Sequence, residues 1–586
     1  MNRLAFFIGA LGLLNFAAAA DRYEAENAIP AGDHSDSTAT DANASGGAFV
    51  AMREGNLLFT VTAAKAGFYT LYVNYSQPND ENGKIQNVTV NGASVGQISF
   101  PYITTLTSIK GVSKLKLNAG ENTIGIVKYW GWVNVDYIEL TDYVETPFSI
   151  TNALVTPNPS EAAKKLYSFL YENFGKKVIS GVMTNNVMLN DGHYTPCSLA
   201  NQTELAWIDS VSGKTPALIG FDFLHSTGLN SDQQWHQGYT AATIAMAKTL
   251  WAAGGIPTYT WHWMDPSGTV EAFYSPSTTN TSTDFSLNKA FKDSTTYAAW
   301  DSTSTEFKAI LRDIDSTANH LKILQDAGIA ILWRPLHEAA GKWFWWGYKG
   351  AAPCKALYRL MFDRLVNYHK INNLVWIWVS DESGDALDWY PGDDYVDIVG
   401  RDYYYDPRQA NHSSLVGSFE NMKSIFSAKK LIALSENGSI PYPDSMVADG
   451  SNWSWFMPWY GDYTMDGWAH DNTAEDWNLI MNNDYVITLD KMPGWDNYTE
   501  NLQTHYTVQA KPKLVLKGKS LSLTLATSGN FSVELFDLSG NRIARLHKGP
   551  LSAGIHEFPI GTLPTGVYVT KMQGKSTYWA TTISIP

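Results

Sequence analysis

The sequence predicts a multidomain protein in which a (β/α)8 TIM barrel lies between an N-terminal β-sandwich (jelly-roll) module and a small C-terminal β-sandwich. The chain has 586 residues, which is enough for about three or four domains. Short alternating runs broken by Gly, Asn and Asp occupy both ends, and β-type runs alternate with helical periods in the middle. The first sandwich is therefore placed at residues 21–141, a linker at 142–156, the barrel at 157–498 and the last sandwich at 503–586.

Residues 1–20 have the features of a secretory signal peptide. Arg3 supplies the positive start, residues 5–16 form the apolar run, and residues 17–20 are four alanines that suit a cleavage site. The apolar run is too short to cross a bilayer, and no later segment reaches the roughly 18 apolar residues of a membrane helix. The sequence therefore predicts a secreted or cell-surface protein without a membrane span.

The two cysteines and the overall charge limit the chemistry further. In an exported protein Cys197 and Cys354 could form one disulfide, but sequence alone does not fix the distance between their Cα atoms.

A formal net charge of −15 leaves no basic face for phosphates, so nucleic acid is not an expected partner. The 22 Trp and 31 Tyr suit a neutral sugar surface, although any single ring can equally serve ordinary packing.

The barrel can be counted strand by strand in the middle region. Candidate strands cover residues 178–183, 217–223, 257–263, 330–338, 374–379, 396–404, 431–436 and 455–460. Candidate helices between them include residues 240–253, 307–327, 355–370 and 419–429, where apolar residues recur at three- and four-residue spacings. Active residues of such a barrel are expected where the strands end.

Two of the candidate strands end in a glutamate, Glu338 and Glu436. They are 98 residues apart, or about three barrel units of roughly 31 residues each, which places them on strands four and seven. Glycoside hydrolysis needs one carboxyl group to protonate the leaving oxygen and a second to attack the sugar or to activate water. The pair therefore predicts a glycoside hydrolase.

Other polar and aromatic side chains fall at the same predicted rim. They are His262 after strand three, His337 beside Glu338, Asp402 and Tyr404 at strand six, and Trp459 near the end of strand eight. Each alone has a structural alternative: a histidine can cap a backbone group, and Asp402 can pair with Arg334 or Arg401. Their joint placement at one rim favours a site.

Four segments in order resemble family 26 of the glycoside hydrolases, most of whose members are β-mannanases. They are WRPLHE (333–338), WFWWG (343–347), YPGDDYVDIVGRDYY (390–404) and LSENG (434–438). The resemblance implies a retaining mechanism without a cofactor, in which Glu338 is the acid/base and Glu436 the nucleophile. It also implies sugar contacts from His262 and His337, a hydrogen bond from Tyr404 to the nucleophile, and stacking platforms at Trp343 and Trp459.

Physical reasoning assigns the same roles to the two glutamates. Carboxyl groups about 5–5.5 Å apart raise each other's proton affinity, and the one in the drier setting stays protonated. Glu338 is the better acid because His337 and several tryptophans surround it in sequence. Glu436 must be ionised to attack, and the hydroxyl of Tyr404 would hold and orient it.

The start and end of the first sandwich resemble family 35 carbohydrate-binding modules. The segments are YEAEN (23–27) and GWVNVDYIEL (131–140). The resemblance implies a structural Ca²⁺ held by Glu24, Glu26 and Asp136, whose hard oxygen ligands suit that ion. The alternative is that Glu24 and Glu26 lie on a solvated strand face. Trp130, Trp132 and Asn134 lie in or beside the closing loop and could bind sugar, although either tryptophan may instead belong to the core.

The last sandwich contains VELFDLSGN (533–541) and LPTGVYV (563–569), a pattern that resembles the sorting domains of the bacterial type IX secretion route. The resemblance implies passage through type IX-like secretion machinery, and the alternative is an accessory β-domain with no transport role. The whole chain predicts a secreted endo-β-1,4-mannanase for mannan, glucomannan or galactomannan. The alternatives are a β-1,3-1,4-glucanase or xylanase of the same fold, and a non-catalytic polysaccharide-binding or adhesion protein.

Overall fold

The computed structural model describes residues 21–32, 36–81, 83–227, 234–276 and 282–499. It also describes 513–585 apart from 518–519, 526–528, 538–541, 553, 561–562 and 574–577. The predicted signal peptide, most of the segment before the last sandwich and part of its VELFDLSGN pattern lie outside these residues. One compact unit holds the N-terminal module and the barrel, up to Glu145 and again over Asn152–Asn501. The other holds Thr146–Thr151 and the chain from Leu502.

The N-terminal module is a β-sandwich, as predicted. Its strands are β1 (Asp21–Glu24), β2 (Ile29–Gly32), β3 (Ser37–Thr40), β4 (Ala48–Met52), β5 (Gly55–Ala63), β6 (Gly67–Gln77), β7 (Lys84–Val90), β8 (Ala93–Phe100), β9 (Ile103–Leu117), β10 (Gly120–Trp130) and β11 (Val133–Asp142). One sheet has the order β3-β4-β11-β6-β9 with β1 beside β11, and the other has the order β2-β5-β10-β7-β8. Alternate side chains such as Leu57, Phe59 and Val61 point into the core between the sheets.

The middle region forms the predicted barrel of parallel strands. These are β12 (Val178–Met183), β13 (Leu218–Asp222), β14 (Ile256–Thr260), β15 (Ile331–Arg334), β16 (Leu374–Val379), β17 (Ile398–Tyr403), β18 (Leu431–Asn437) and β19 (Trp455–Phe456), with a short β20 (Val486–Ile487) beside β12. Neighbours pair in sequence order, and β19 pairs with β12. The amide of Ser454 donates to Ile432 O at 2.8 Å and that of Asn437 donates to Met457 O at 3.1 Å, which closes the ring.

Several strand ends differ from the prediction. Strand three stops at Thr260 and strand six at Tyr403, so His262 and Tyr404 lie beyond them. Strand four stops at Arg334, because Leu336 and Glu338 have φ angles of +53° and +52°, which an extended strand does not contain. Glu338 therefore lies in the loop that follows the strand. Strand eight is limited to Trp455–Phe456, so Trp459 also lies in a loop.

The helices surround the strands. They are α1 (Glu161–Asn173), α2 (Thr203–Ser212), α3 (Gln234–Ala252), α4 (Thr305–Asp326), α5 (Trp345–Tyr348), α6 (Ala351–Phe362), α7 (Ala386–Trp389), α8 (Val416–Ile425), α9 (Pro443–Asp449) and α10 (Ala474–Met481). Short 3-10 turns occur at Ala25–Asn27, Ser45–Gly47, Leu287–Ala290, Ala339–Gly341, Gly461–Tyr463 and Leu489–Lys491, and a π-helix at Asp363–Tyr368 extends α6. The predicted helices correspond to α3, α4, α6 with its extension, and α8. Among the residues described, no helix is both long and apolar enough to cross a bilayer.

The C-terminal strands form a second, smaller β-sandwich, again as predicted. They are β21 (Lys513–Lys517), β22 (Ser520–Leu525), β23 (Gly529–Phe536), β24 (Arg542–Leu551), β25 (Gly554–Pro559), β26 (Gly566–Gln573) and β27 (Tyr578–Ile585). One sheet has the order β21-β22-β25 and the other β24-β23-β26-β27. Leu521 and Leu523 of the first sheet share a core with Val533 and Leu535 of the second.

The two cysteines of the barrel region do not pair. Cys197 and Cys354 are both free and both buried. The disulfide that the sequence left open is therefore not formed.

Candidate active site

Glu338 and Glu436 meet at the carboxyl ends of the barrel strands. Glu436 lies within β18, and Glu338 follows β15 by four residues. Oxygens of these two carboxylates and of Asp402, on β17, all lie within 4.8 Å of one another. The structure therefore brings the two predicted glutamates together, on the fourth and seventh strands of the barrel.

A buried arginine binds two members of this carboxylate cluster. Nη1 of Arg334 donates to Oδ2 of Asp402 at 2.6 Å, and Nη2 donates to Oε2 of Glu436 at 2.6 Å. The Arg334 side chain is only 1% exposed, so both ion pairs are shielded from solvent. A carboxylate cluster of this size could also hold a metal ion. Here Arg334 already supplies positive charge to two of its three members.

Both oxygens of Glu436 accept a hydrogen bond. The hydroxyl of Tyr404 donates to Oε1 at 2.6 Å, while Arg334 donates to Oε2. Tyr404 directly follows β17, which pairs with the strand of Glu436, and the contact is the one that the family resemblance implied. Two donors from fixed elements hold the Glu436 carboxylate in a single orientation.

Glu338 is in an environment that favours its neutral form. Burial, followed by the charges of Glu436 and Asp402, raises its pKa to about 8, against the opposing influence of Arg334. Nε1 of Trp343 donates to Oε2 of Glu338 at 3.0 Å. Glu338 is therefore a carboxylic acid at neutral pH, and it faces the Glu436 side chain that is paired with Arg334.

The loop that presents Glu338 is held by tryptophans and a glycine. Nε1 of Trp346 donates to the carbonyl oxygen of His337 at 3.0 Å, which fixes the loop next to Glu338. Gly347 packs so closely that a Cβ at this position would lie 2.0 Å from the carbonyl oxygen of Ala339. The positive φ of Glu338 is thus imposed by its surroundings, as expected where a strained residue is functional.

The predicted histidines form a short chain that begins at an aspartate. Nδ1 of His262 lies 2.6 Å from Oδ2 of Asp222, and Nε2 of His262 lies 3.2 Å from Nε2 of His337. An ionised aspartate only accepts, so Nδ1 of His262 carries a hydrogen. Burial, then His262 and Arg334, place the pKa of His337 well below its usual range. His337 is therefore neutral, and its other nitrogen, Nδ1, lies 3.1 Å from the Thr260 hydroxyl, so the chain of contacts runs from Asp222 through both rings to Thr260.

The two predicted stacking platforms lie at the same rim. Trp343 is 38% exposed and contacts Glu338, while Trp459 is half-buried and its ring centre is 5.8 Å from that of His262. Trp343 thus borders Glu338 and Trp459 borders the histidine pair, and both rings offer apolar faces suited to sugar.

The predicted residues of the N-terminal module lie at the junction of β10 and β11. Trp130 and Trp132 are each 47% exposed. Asn134 is buried instead: its amide nitrogen donates to Ser76 and its oxygen accepts from Arg53. The structure therefore presents both tryptophans at the surface, and the Asn134 amide is used within the module.

The predicted metal ligands of the module also converge. The amide of Ser45 donates to both oxygens of Asp136, at 3.0 and 3.2 Å, and the Ser45 hydroxyl donates to Glu24 at 2.7 Å. A Cβ at Gly46 would lie 2.6 Å from Oε1 of Glu26. Oε2 of Glu24 and Oε2 of Glu26 are buried without a hydrogen-bond partner, and burial helps to raise the pKa of Asp136 to about 6. Arg22 is the cation that acts on Asp136, and the donor chemistry of the unpartnered oxygens fits a hard cation.

Two contributors to the site were not singled out from the sequence. Arg334 was considered only as an ion-pair partner of Asp402, and Asp222 was not considered at all. Asp222 ends the second strand, so the rule that found the other rim residues could have found it. Arg334 lies inside the WRPLHE segment, and a buried arginine among rim carboxylates is the signal that identifies it.

Two facing glutamates at the carboxyl-end rim of a (β/α)8 barrel, bordered by exposed aromatic rings, define a glycoside hydrolase. Residues 155–491 match the model of glycosyl hydrolase family 26, and residues 21–143 match that of carbohydrate binding module family 35. The first match spans more than half of the chain, so the protein belongs to glycosyl hydrolase family 26. The resemblances to families 26 and 35 are confirmed, and the resemblance of the last sandwich to sorting domains stays a prediction.

Relatives with both domains are known. The chain is 35% identical to a mannan endo-1,4-beta-mannosidase of Thermothelomyces thermophilus over 82% of this chain and 92% of that protein. The structure of a Podospora anserina GH26-CBM35 beta-(1,4)-mannanase is 33% identical, covers 81% of this chain and 99% of that chain, and has a TM-score of 0.51. A beta-mannanase from a symbiotic protist of the termite Reticulitermes speratus, complexed with gluco-manno-oligosaccharide, is 43% identical. It covers 60% of this chain and all of that chain, with a TM-score of 0.54.

Proposed function

We propose that this protein is an endo-acting β-1,4-mannanase that cleaves mannan, glucomannan or galactomannan with retention of configuration. The observation that carries the mechanism is the approach of Glu338 and Glu436, whose oxygens lie within 4.8 Å. Retaining enzymes have their carboxyl groups roughly 5–5.5 Å apart, whereas inverting enzymes leave about 6.5–9.5 Å for a water molecule. Membership of family 26 and the mannanase relatives support the substrate.

In the first step Glu436 is the nucleophile and Glu338 the acid. An oxygen of Glu436 attacks the anomeric carbon, the glycosidic bond breaks, and the leaving oxygen takes the proton of Glu338. The raised pKa of Glu338 provides that proton at neutral pH. Tyr404 and Arg334 hold the attacking carboxylate, and no cofactor takes part.

In the second step the same two groups exchange roles. The covalent ester removes the negative charge of Glu436, which is one of the causes of the raised pKa of Glu338. Glu338, now ionised, takes a proton from water, the water oxygen attacks the anomeric carbon, and the ester bond breaks. The sugar leaves with its original configuration, and both carboxyl groups return to their starting states.

Product release from four polysaccharides tests this proposal. The mature protein and its Glu338→Ala and Glu436→Ala variants are incubated with glucomannan, galactomannan, mixed-linkage glucan and xylan. Mannan-chain cleavage by the parent and a loss of roughly 10³-fold or more in each variant are expected, because the two carboxyl groups act as a unit. Proton NMR of the first product should show the β-anomer.

Three other outcomes contradict the proposal in different ways. Cleavage of glucan or xylan alone would keep the mechanism and change the substrate. An initial α-anomer would mean inversion. If no product is released from any of the four polysaccharides, the result would favour a non-catalytic binding or adhesion protein.

We also propose that the N-terminal module binds polysaccharide and holds a structural Ca²⁺ through Glu24, Glu26 and Asp136. The two partnerless buried oxygens of Glu24 and Glu26 support the ion. When bound, a divalent cation would neutralise this group, and Ser45 would continue to orient Asp136. The exposed faces of Trp130 and Trp132 support sugar binding.

Export is proposed on the sequence of the N-terminus, residues 1–20, and type IX-like sorting on the pattern in residues 533–569. A small C-terminal β-sandwich is compatible with a sorting role and with a plain accessory role. Expression of the full chain and of a version ending near residue 502, in a host with the type IX route, separates the two. Intracellular retention of the shortened chain alone would support sorting, and equal export of both would contradict it.

A further inference from the structure

The module carries an edge of exposed aromatic side chains, Tyr129, Trp130 and Trp132, called here the aromatic edge. Tyr129 is 38% exposed, and the two tryptophans are each 47% exposed. Nζ of Lys84 lies 3.9 Å from the centre of the Trp130 ring, and the guanidinium carbon of Arg53 lies 5.3 Å from that of Trp132. A cation therefore supports each ring, and the remaining ring surface is open to a ligand.

The aromatic edge adjoins the barrel rim rather than solvent alone. Lys84, whose Nζ lies over the Trp130 ring, pairs with Phe100 of β8, and a Cβ at Gly384 in the loop after β16 would lie 2.4 Å from Cγ of the next residue, Pro101. Burial, followed by the charge of the Asp406 carboxylate, also raises the pKa of Tyr129. Asp406 follows β17 and lies two residues after Tyr404, so the two Cα atoms are at most about 7.6 Å apart. Tyr404 in turn donates to Glu436. Tyr129, at one end of the aromatic edge, is thus connected to Glu436 through Asp406 and Tyr404.

Hydrogen bonds and an ion pair hold the module on the barrel independently of Tyr129. The amide of Ser113 donates to Oδ1 of Asn421 at 3.1 Å, and Nζ of Lys116 lies 2.6 Å from Oδ1 of Asp449. These contacts join β9 of the module to α8 and α9 of the barrel. The module therefore has a defined position on the barrel surface.

Close backbone packing at the carboxyl-end loop after β16 fixes the same interface. A Cβ at Gly384 would lie 2.4 Å from Cγ of Pro101, and a Cβ at Gly417 would lie 3.0 Å from the carbonyl oxygen of Val95. Neither contact leaves room for the module to tilt without separating the surfaces. Gly384 lies in the loop that follows β16, and Gly417 lies in the first turn of α8, which begins after the loop that follows β17. Both positions are on the side of the barrel where the catalytic rim lies.

We propose that the aromatic edge and the barrel cleft form one extended binding surface, on which Trp130 and Trp132 contact distal residues of the same polysaccharide chain that Glu338 and Glu436 cleave. The proposal rests on the proposed mannanase function. The occupant is a neutral β-linked chain, because the apolar faces of its sugar rings match exposed indole rings on a protein of net charge −15. A module fixed in place adds this contact without the entropy cost of ordering a linker.

An extended surface and an independent anchor differ in how activity depends on chain length. A surface continuous with the cleft improves kcat/KM only for chains long enough to reach it, and mainly through KM. An independent anchor concentrates the enzyme on polymer but gives no threshold in the series of soluble oligosaccharides. The dependence of kcat/KM on oligosaccharide length therefore distinguishes a continuous binding surface from an independent anchor.

The test uses the full chain with soluble manno-oligosaccharides of increasing length and with galactomannan. For a Trp130→Ala/Trp132→Ala variant, we expect the ratio of kcat/KM for long chains to kcat/KM for short chains to fall roughly three- to tenfold. Trp130→Phe/Trp132→Phe keeps the aromatic faces and should retain most of the ratio. Tyr368→Ala removes a 63% exposed ring that precedes β16, away from the rim, and should leave the ratio unchanged.

The outcomes separate this inference from the function on which it rests. If the parent cleaves no mannan, the proposed function fails. If the parent cleaves mannan but the alanine variant keeps the parental ratio, or loses activity equally at every length, the extended surface is wrong. A fall in the ratio shared by Tyr368→Ala would also overturn it, because the effect would not be specific to the aromatic edge.

Discussion

Nη2 of Arg334 lies 2.6 Å from Oε2 of Glu436, so the proposed nucleophile is held from inside the barrel by a side chain of strand β15. The other end of the same guanidinium binds Asp402. A single fork therefore sets the positions of two carboxylates on two neighbouring strands, and Glu338 faces both of them. The guanidinium thus supplies positive charge to two of the three acids, while burial raises the pKa of Asp402 to about 7 and that of Glu338 to about 8.

Replacing Arg334 by lysine should lower kcat by roughly 10²-fold or more, because an ammonium keeps the charge but cannot bind two carboxylates as a fork. Arg334→Met should also destabilise the fold by about 3–5 kcal/mol, since it leaves two buried carboxylates uncompensated. Steady-state kinetics and denaturant unfolding measure these effects. Arg364→Lys, in a bidentate pair with Asp315 on the outer helices, is the matched control and should keep parental kcat.

Removal of the Tyr404 hydroxyl should reduce kcat by roughly tenfold or more while KM changes little, because the hydroxyl orients the carboxylate rather than binding the sugar ground state. Tyr404→Phe keeps the ring and isolates the hydrogen bond. Tyr405→Phe removes a hydroxyl that pairs with Ser413 and should behave like the parent. An unchanged kcat in Tyr404→Phe would show that Arg334 alone is sufficient to position Glu436.

The pH dependence of kcat/KM should show an alkaline limb near pH 8, where the Glu338 proton is lost. Because the charge of Glu436 is the largest cause after burial, Glu436→Gln should lower the pKa of Glu338. This shift can be followed in the inactive variant by carboxyl infrared or ¹³C NMR titration. A pKa of Glu338 that stays the same in Glu436→Gln would contradict the proposed coupling of the two groups.

Glu338 should also make the protein less stable as pH rises. Its folded-state pKa of about 8 lies above the ordinary value of 4.5, so between these pH values the folded state binds more protons than the unfolded state. The free energy of unfolding therefore falls from about pH 4.5 to pH 8 through this group. Glu338→Gln should flatten that decline and be more stable than the parent at pH 8, as measured by urea unfolding. A parallel decline in both proteins would mean that another group is responsible.

Chelation should lower the melting temperature of the N-terminal module by roughly 5 °C or more, because loss of a bound cation removes its linkage to folding. Calcium should restore it, as followed by calorimetry of the full chain. Asp136→Asn should melt at the chelated temperature with or without calcium. Glu139→Gln, on the same strand but paired with Arg22, should keep the calcium response. Absence of a chelator effect in the parent would argue against the ion.

Sequence periodicity was sufficient for the architecture of this chain, because buried parallel strands are apolar along their whole length. The predicted runs at residues 178–183 and 374–379 match β12 and β16 without error. Glu338 and Glu436 were found because strand ends in a barrel share one rim. In these cases a local pattern determines where the side chain lies.

The remaining features depend on contacts between distant residues. Arg334 meets partners 68 and 102 residues away, and no local pattern selects those partners from other acids. Strand four was predicted to continue to Glu338 because LHE is compatible with a strand. The backbone turns at Leu336 and Glu338 instead, where Trp346 donates to the carbonyl oxygen of His337 and Gly347 packs against Ala339. The burial of Asn134 likewise follows from Ser76 and Arg53, on other strands.

The two free thiols offer a way to measure how often the barrel opens, because a buried thiol reacts only when it becomes exposed. Cys354 is fully enclosed, and burial raises the pKa of its thiol far above the ordinary value, so a thiol reagent cannot reach a reactive form while the barrel is closed. Cys197 is slightly more accessible, at 8% exposure. The rate at which a colorimetric disulfide reagent labels Cys354 would therefore report the rate or population of the open state in which strands and helices separate. No engineered probe is needed. Substrate bound in the cleft should slow the labelling of Cys354, because it stabilises the closed barrel.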